Sequence, residues 1–129
     1  MEFRDNKAIY LQIIDYVFEQ ILLGKWCANE KISSVRDLAA QLEVNPNTVA
    51  RSYEMLQNQE VIQNKRGIGF FVCANALEKI RNQRREEFKI RELPEIFRSI
   101  YLLGIDFDQL KEAYHDFINT INLQENENK

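Results

Sequence analysis

Asn45, Asn47, Thr48 and Arg51 cluster around Pro46 at the head of a segment with helical periodicity. These side chain types read nucleic-acid edges: Asn pairs bidentately with adenine and Arg with guanine in the major groove. The first turn of a helix is also the end that meets bases or flanking phosphates. Ser34 and Arg36 head the preceding segment and suit a phosphate, and Arg36 also suits a base edge. Lys65 and Arg66 sit in a turn beside Gly67 and Gly69, where two cations can reach DNA backbone or minor groove and the glycines permit close approach.

Each residue has a second reading. Asn45 serves equally as a helix cap, and Thr48 as a solvent-facing side chain. Arg36 can pair with Asp37 or Glu43, and Lys65-Arg66 alone is an ordinary solvated turn. The reading rests on their order, which places several candidate contacts on one side.

Other chemistries lack their parts. His115 is the one histidine and reads as structural or solvated. No HExxH, GxSxG or GxxxxGK[ST] occurs, and adjacent Glu86 and Glu87 point about 100° apart on a helix, so they form no dyad. No metal-ligand spacing and no cofactor motif is visible, so the chain reads as a non-enzyme without cofactor or metal. Cys27 and Cys73 are far apart and read as reduced. The polar opening Met1–Asp5 and the lack of any apolar run of about 18 residues predict a cytoplasmic chain with no membrane partner.

Elements that could position these residues follow from periodicity. Ile9, Ile13, Val17 and Leu22 with Tyr10, Ile14, Phe18 and Ile21 form a wide helical stripe over about Lys7–Leu23, stopped by Gly24. Lys25–Ser34 reads as irregular, anchored by Trp26 and Ile32. Ser34 with Asp37 forms a capping-box-like start for a short helix with Leu38, Ala39 and Leu42 inward. A second helix runs from Pro46 to about Asn58, with Val49, Tyr53 and Leu56 inward and Asn47, Thr48, Arg51 and Ser52 opposite. Val61–Gln63 and Ile68–Val72 read as strands around the turn Asn64–Gly67. Three helices and a basic-tipped hairpin make a winged helix-turn-helix over residues 1–74.

The remainder reads as two helices over 75–123 and a flexible tail over 124–129. The first spans Leu77 to about Leu103, carries Arg81, Arg84 and Arg85, and meets Pro94, which predicts a kink or break. Asp106 with Gln109 caps the last helix, which runs to about Ile121. Phe88, Ile96, Ile100, Leu103, Leu110, Tyr114 and Phe117 form a broad apolar stripe on this pair. Two helices alone bury little, so these residues are expected to dimerise with a second copy. The fold class is mostly α (α+β): a winged helix-turn-helix followed by a two-helix dimerisation appendage.

The length of 129 residues suits one domain with such an appendage. With 45% hydrophobic residues it can pack a core. The formal net charge of −3 disfavours indiscriminate coating of nucleic acid. Residues 1–75 hold eight Lys and Arg against nine Asp and Glu, so the DNA-binding half is nearly neutral. Discrimination should then rest on a few placed cations, with weak and salt-dependent non-specific affinity.

The stretches Ser34-Val35-Arg36-Asp37-Leu38-Ala39, Val44–Leu56 and Gly67-Ile68-Gly69-Phe70-Phe71-Val72 resemble the winged-helix domain of the GntR family of bacterial transcription regulators. Asn45-Pro46-Asn47-Thr48 with Arg51 and Tyr53, and Tyr10-Leu11-Gln12-Ile13, are similar to the short YtrA-like subgroup. The resemblance implies that Arg36, Asn45, Asn47, Thr48, Arg51 and Gly67 approach double-stranded operator DNA. It also implies a homodimeric repressor on an inverted repeat, whose targets often include its own operon and an ABC transporter. Half-sites would lie about one helical turn apart, ~34 Å. Three positions depart from the family pattern. Ser33 replaces a usual Pro, Glu60 a usual Gly at a place that often needs left-handed backbone, and Phe70 a small polar residue. The stretch after the wing is too short for a large effector-binding domain, and no residue cluster names a small-molecule effector. The competing class is a winged-helix protein-interaction module, which would expose an apolar patch at the recognition helix.

Overall fold

The stripe beginning at Ile9 folds as helix α1 (Ile9–Leu22), in a computed structural model that describes residues 2–127. Helices α2 (Val35–Leu42) and α3 (Pro46–Asn58) follow, then strands β1 (Ile62–Lys65) and β2 (Gly69–Val72), then α4 (Ala76–Glu87). Helix α3 packs against α1, α2 and β1. Its inward residues Val49, Tyr53 and Leu56 are buried with Ile13 and Val17 of α1 and Leu38 of α2. Each such apolar side chain contributes about 1.5–3 kcal/mol on burial, which is what holds three short helices together.

Several polar bonds fix the joints. Gln12 is buried, and its amide accepts from the Arg4 N–H at 2.7 Å and donates to the Arg4 and Lys7 carbonyls at 2.8 and 2.7 Å. It thereby ties the N-terminal arm onto α1. The Tyr53 hydroxyl donates to the Ser33 carbonyl at 2.6 Å, and burial foremost pushes that phenol well above its ordinary value. Phe70 meets the Tyr53 ring edge-on at 4.9 Å between centroids, so this departure from the family pattern is a packing residue. Ser52 differs from the sequence reading: it is buried, not opposite the core, and its hydroxyl donates to the Tyr10 carbonyl at 2.7 Å.

Helices α1, α2 and α3 end alike. In each, an N–H five residues on closes back over the last turn: Lys25 to Gln20, Val44 to Ala39 and Val61 to Leu56. The residue in between takes the left-handed conformation. For α1 it is Gly24; for α2 and α3 it is Glu43 and Glu60, with φ of 57° and 58°. A Cβ is unfavourable there, so both glutamates are strained.

The segment expected to be irregular supplies a third strand-like edge. Lys31 bridges Phe71, the Ile32 N–H donates to the Phe70 carbonyl, and the Val72 N–H donates to the Glu30 carbonyl. β1 and β2 pair antiparallel with Lys65 opposite Gly69. The Ile68 N–H closes the turn onto the Lys65 carbonyl at 2.9 Å, and Gly67 takes φ +79° inside it, a value that only glycine adopts readily.

The first compact unit runs through Arg85, past the expected boundary at 74, because Ala76 and Ile80 of α4 are wholly buried in its core. Arg84 of α4 bonds to Asp15 of α1 at 2.9 Å and lies over the Phe18 ring. Lys7 also pairs with Asp15.

The second unit begins at Glu86. A π-helical turn over Phe88–Glu92 leads to α5 (Leu93–Leu102), with Pro94 in the first turn. A proline inside a regular helix would lose one bond and collide with the carbonyl four residues back. The wider π turn falls where that carbonyl lies, and α5 restarts beyond it. Gly104 ends α5, and the Asp106 side chain caps α6 (Phe107–Glu127) by accepting from the Asp108 N–H at 3.1 Å. Helix α6 runs on to Glu127, where the sequence reading placed a flexible tail from Gln124; residues 128 and 129 lie outside the described residues. No described helix is long and apolar enough to cross a membrane.

Candidate nucleic-acid interface

Two caps set the start of the helices that carry the candidate side chains. Ser34 Oγ accepts from the Asp37 N–H at 3.1 Å and fixes the first turn of α2, which holds Arg36. Asn45 Oδ1 accepts from the Asn47 N–H at 2.8 Å, and Pro46 opens α3 with its ring already in helical geometry. Capping therefore occupies the oxygen of Asn45 and leaves its Nδ2 donors. The Ser34 hydroxyl likewise accepts from α2 while its own hydrogen is free to rotate.

Helix α3 presents Asn47 and Arg51 to solvent one turn apart, with Thr48 half-buried beside them. Glu54, one further turn along, is exposed on the same side, and sequence reasoning did not single it out. Arg36 is exposed and makes no ion pair among the described residues, so neither Asp37 nor Glu43 neutralises it.

Arg51 is held differently. Its guanidinium carbon lies 3.7 Å from the centroid of the Tyr10 ring, stacked on a half-buried residue of α1. At the wing, Lys65 Nζ lies 4.3 Å from the Phe71 ring centroid, while Arg66 and Gly67 form the exposed tip.

Gly69 has a local reason of its own. A Cβ there would come within 2.8 Å of Lys31 Cε, so the Lys31 side chain crosses the strand at that point. Lys31 is therefore a further cation against the wing. The glycine itself is favoured by its φ of +143°, since the flexible end of Lys31 can move aside for a Cβ. Tyr10 was quoted for its place in a motif, and its role as the bed for Arg51 needed the packing of α1 on α3.

The expected dimerisation residues lie in the second unit. Ile100 and Leu110 are half-buried, and Phe88, Ile96, Leu103, Tyr114 and Phe117 are exposed. No residue of α5 or α6 is buried, and Leu103 keeps 72% and Tyr114 60% of its surface open.

Known proteins share this arrangement. Residues 9–72 match the family described as bacterial regulatory proteins, gntR family. The chain is similar to the HTH-type transcriptional repressor YtrA of Bacillus subtilis (strain 168), 30% identical over 109 residues, covering 84% of this chain and 83% of that one. It is also similar to the HTH-type transcriptional regulator YhcF of the same organism, 28% identical over 116 residues, covering 90% and 94%. Among solved structures, a GntR-family transcriptional regulator from Bacteroides thetaiotaomicron is 48% identical, with a TM-score of 0.65 over 88% of this chain and 98% of that one. With its capped recognition helix, its wing and these relatives along nearly its whole length, the chain belongs to the GntR family of bacterial transcription regulators.

Proposed function

We propose that the chain is a homodimeric repressor that works in the cytoplasm on an inverted-repeat operator in double-stranded DNA. The observation that carries the DNA reading is the first half of α3, where the Asn45 cap holds Asn47, Thr48 and Arg51 in helical register. The exposed side of α3 holds no large apolar residue, which favours DNA over a protein partner at this surface. The wing cations Lys65 and Arg66 supply phosphate contacts, and Arg36 reaches a base edge or its flanking phosphate.

Dimerisation is supported by the second unit. Phe97, Tyr101, Leu103, Phe107, Tyr114 and Phe117 each expose more than half of their surface. Such density of exposed aromatic and aliphatic side chains is what an obligate partner covers. A two-fold pair would carry two recognition helices to half-sites ~34 Å apart. Repression, and control of its own operon and a neighbouring ABC transporter, follow the family resemblance and the repressor YtrA among its relatives.

Footprinting on the DNA upstream of its own gene tests this reading. A protected inverted repeat, with added protein lowering transcription from that promoter, is the expected result. Protection of a single half-site, or no protection at any concentration that binds bulk DNA, would sink it.

A further inference from the structure

Arg51 and Ser52, adjacent on α3, both grip one residue of α1. Arg51 lays its guanidinium on the Tyr10 ring at 3.7 Å, and Ser52 donates to the Tyr10 carbonyl at 2.7 Å. The second bond fixes the backbone of Tyr10 against α3; the first uses that fixed ring as a platform. Arg51 has no hydrogen bond or ion pair among the described residues. Its face is occupied and its edge is not.

A guanidinium donates its N–H groups in its own plane, so stacking on its face and bidentate bonding at its edge coexist. A free arginine samples many rotamers and loses that freedom when it binds. A ring beneath the guanidinium narrows those rotamers before DNA arrives.

We propose that Tyr10 is a positioning residue for DNA readout: it holds the edge of Arg51 toward a guanine in the major groove and so sets discrimination at one base pair of each half-site. The proposal rests on the DNA reading of α3 above and adds a residue that touches no DNA.

The test uses the full chain and a duplex selected from a random pool by the wild-type protein. Affinity is measured for that duplex, its single-base-pair variants and an unrelated duplex, across a salt series. Arg51→Ala should relax preference at one base pair. Tyr10→Leu keeps the carbonyl that Ser52 uses. It should lower affinity for the selected duplex by about 3- to 10-fold, relax preference at the same base pair, and leave unrelated-duplex affinity and salt slope unchanged. Tyr10→Phe keeps the ring and should restore wild-type preference. Tyr10→Met serves as the second ring-less variant should Tyr10→Leu fail to fold.

Wild-type preference in a folded ring-less variant, at the base pair that Arg51→Ala relaxes, would overturn the proposal. So would equal losses on selected and unrelated duplexes, which a merely structural role produces, or tighter binding, which would mean that the stack withholds Arg51. If Arg51→Ala itself changes nothing, the assignment of Arg51 as a base reader fails first.

Discussion

Arg84 Nη2 bonds to Asp15 Oδ1 at 2.9 Å, joining α4 to α1 across 69 positions of sequence. In the sequence Arg84 belongs to a basic run that suits either phosphate or plain solvent. In the structure it also lies over the Phe18 ring, so it is committed to the fold. Both partners keep 39% of their side-chain surface open, so solvent screens the pair. Arg84→Ala is expected to cost ~0.5–1 kcal/mol, including the ring contact, measured by urea unfolding. Its salt slope for DNA binding should equal that of the wild type. A slope lowered by about one would instead make Arg84 a phosphate ligand.

Glu60 and Glu43 hold left-handed backbone at the ends of α3 and α2, where α1 uses Gly24. Glu60→Gly should stabilise the chain by ~0.5–1 kcal/mol, because removing Cβ relieves more than the added freedom of the unfolded chain costs. The exposed contact between Glu60 and Lys79, at 3.4 Å, gives little back when lost. The midpoint of thermal unfolding should rise by a few degrees; a fall would show that the strain is absent.

Base and phosphate readers separate by salt. Arg36→Ala and Arg51→Ala should each weaken specific binding by ~1–3 kcal/mol if they read bases. Lys65→Ala should weaken specific and unrelated duplexes alike and reduce the salt slope by about one. Unchanged affinity in all three variants, measured by mobility shift, would remove this surface as the DNA site.

The exposed stripe of the second unit predicts that Phe117→Glu or Tyr114→Glu shifts the protein from dimer to monomer in sedimentation velocity. Operator affinity should fall with it, because each half-site alone is bound weakly. A wild-type monomer at micromolar concentration would contradict the dimer directly.

The two thiols should react unequally. Cys27 is exposed, whereas Cys73 is half-buried and burial foremost raises its pKa, with Glu60 adding and Lys79 opposing. The thiolate is the reactive form, so a raised pKa leaves less of it near pH 8. A disulfide reagent should label in two phases, and Cys27→Ser should abolish the fast one. Raising the pH should speed the slow phase. Equal rates for both thiols would contradict the assignment.

What could be read in the sequence was local or periodic. Ser34, Asn45 and Asp106 were legible as caps because a cap bonds within three residues of itself. The helices and the hairpin were legible because the core repeats every three to four residues or every two. Contacts between elements left no such trace. Ser52 looked exposed beside Arg51, yet it faces α1, because the α1–α3 packing turns it inward. The boundary at 74 fell short because Ile80 reads as one more apolar position on a long helix, and only packing assigns it to the first core. At Pro94 the proline was visible, but the π turn ahead of it was not, since its residues keep ordinary helical character.

The strand-like edge at Glu30–Ile32 makes the wing a poor candidate for transplanting as a self-contained cassette. β2 is paired on both sides, by β1 and by residues that precede α2, and one of those residues, Lys31, lays its side chain across Gly69. A chimera that received only residues 62–72 would leave one margin of β2 without hydrogen-bond partners and the wing without one of its positive charges. A graft meant to carry this wing's approach to DNA has to bring the earlier segment with it.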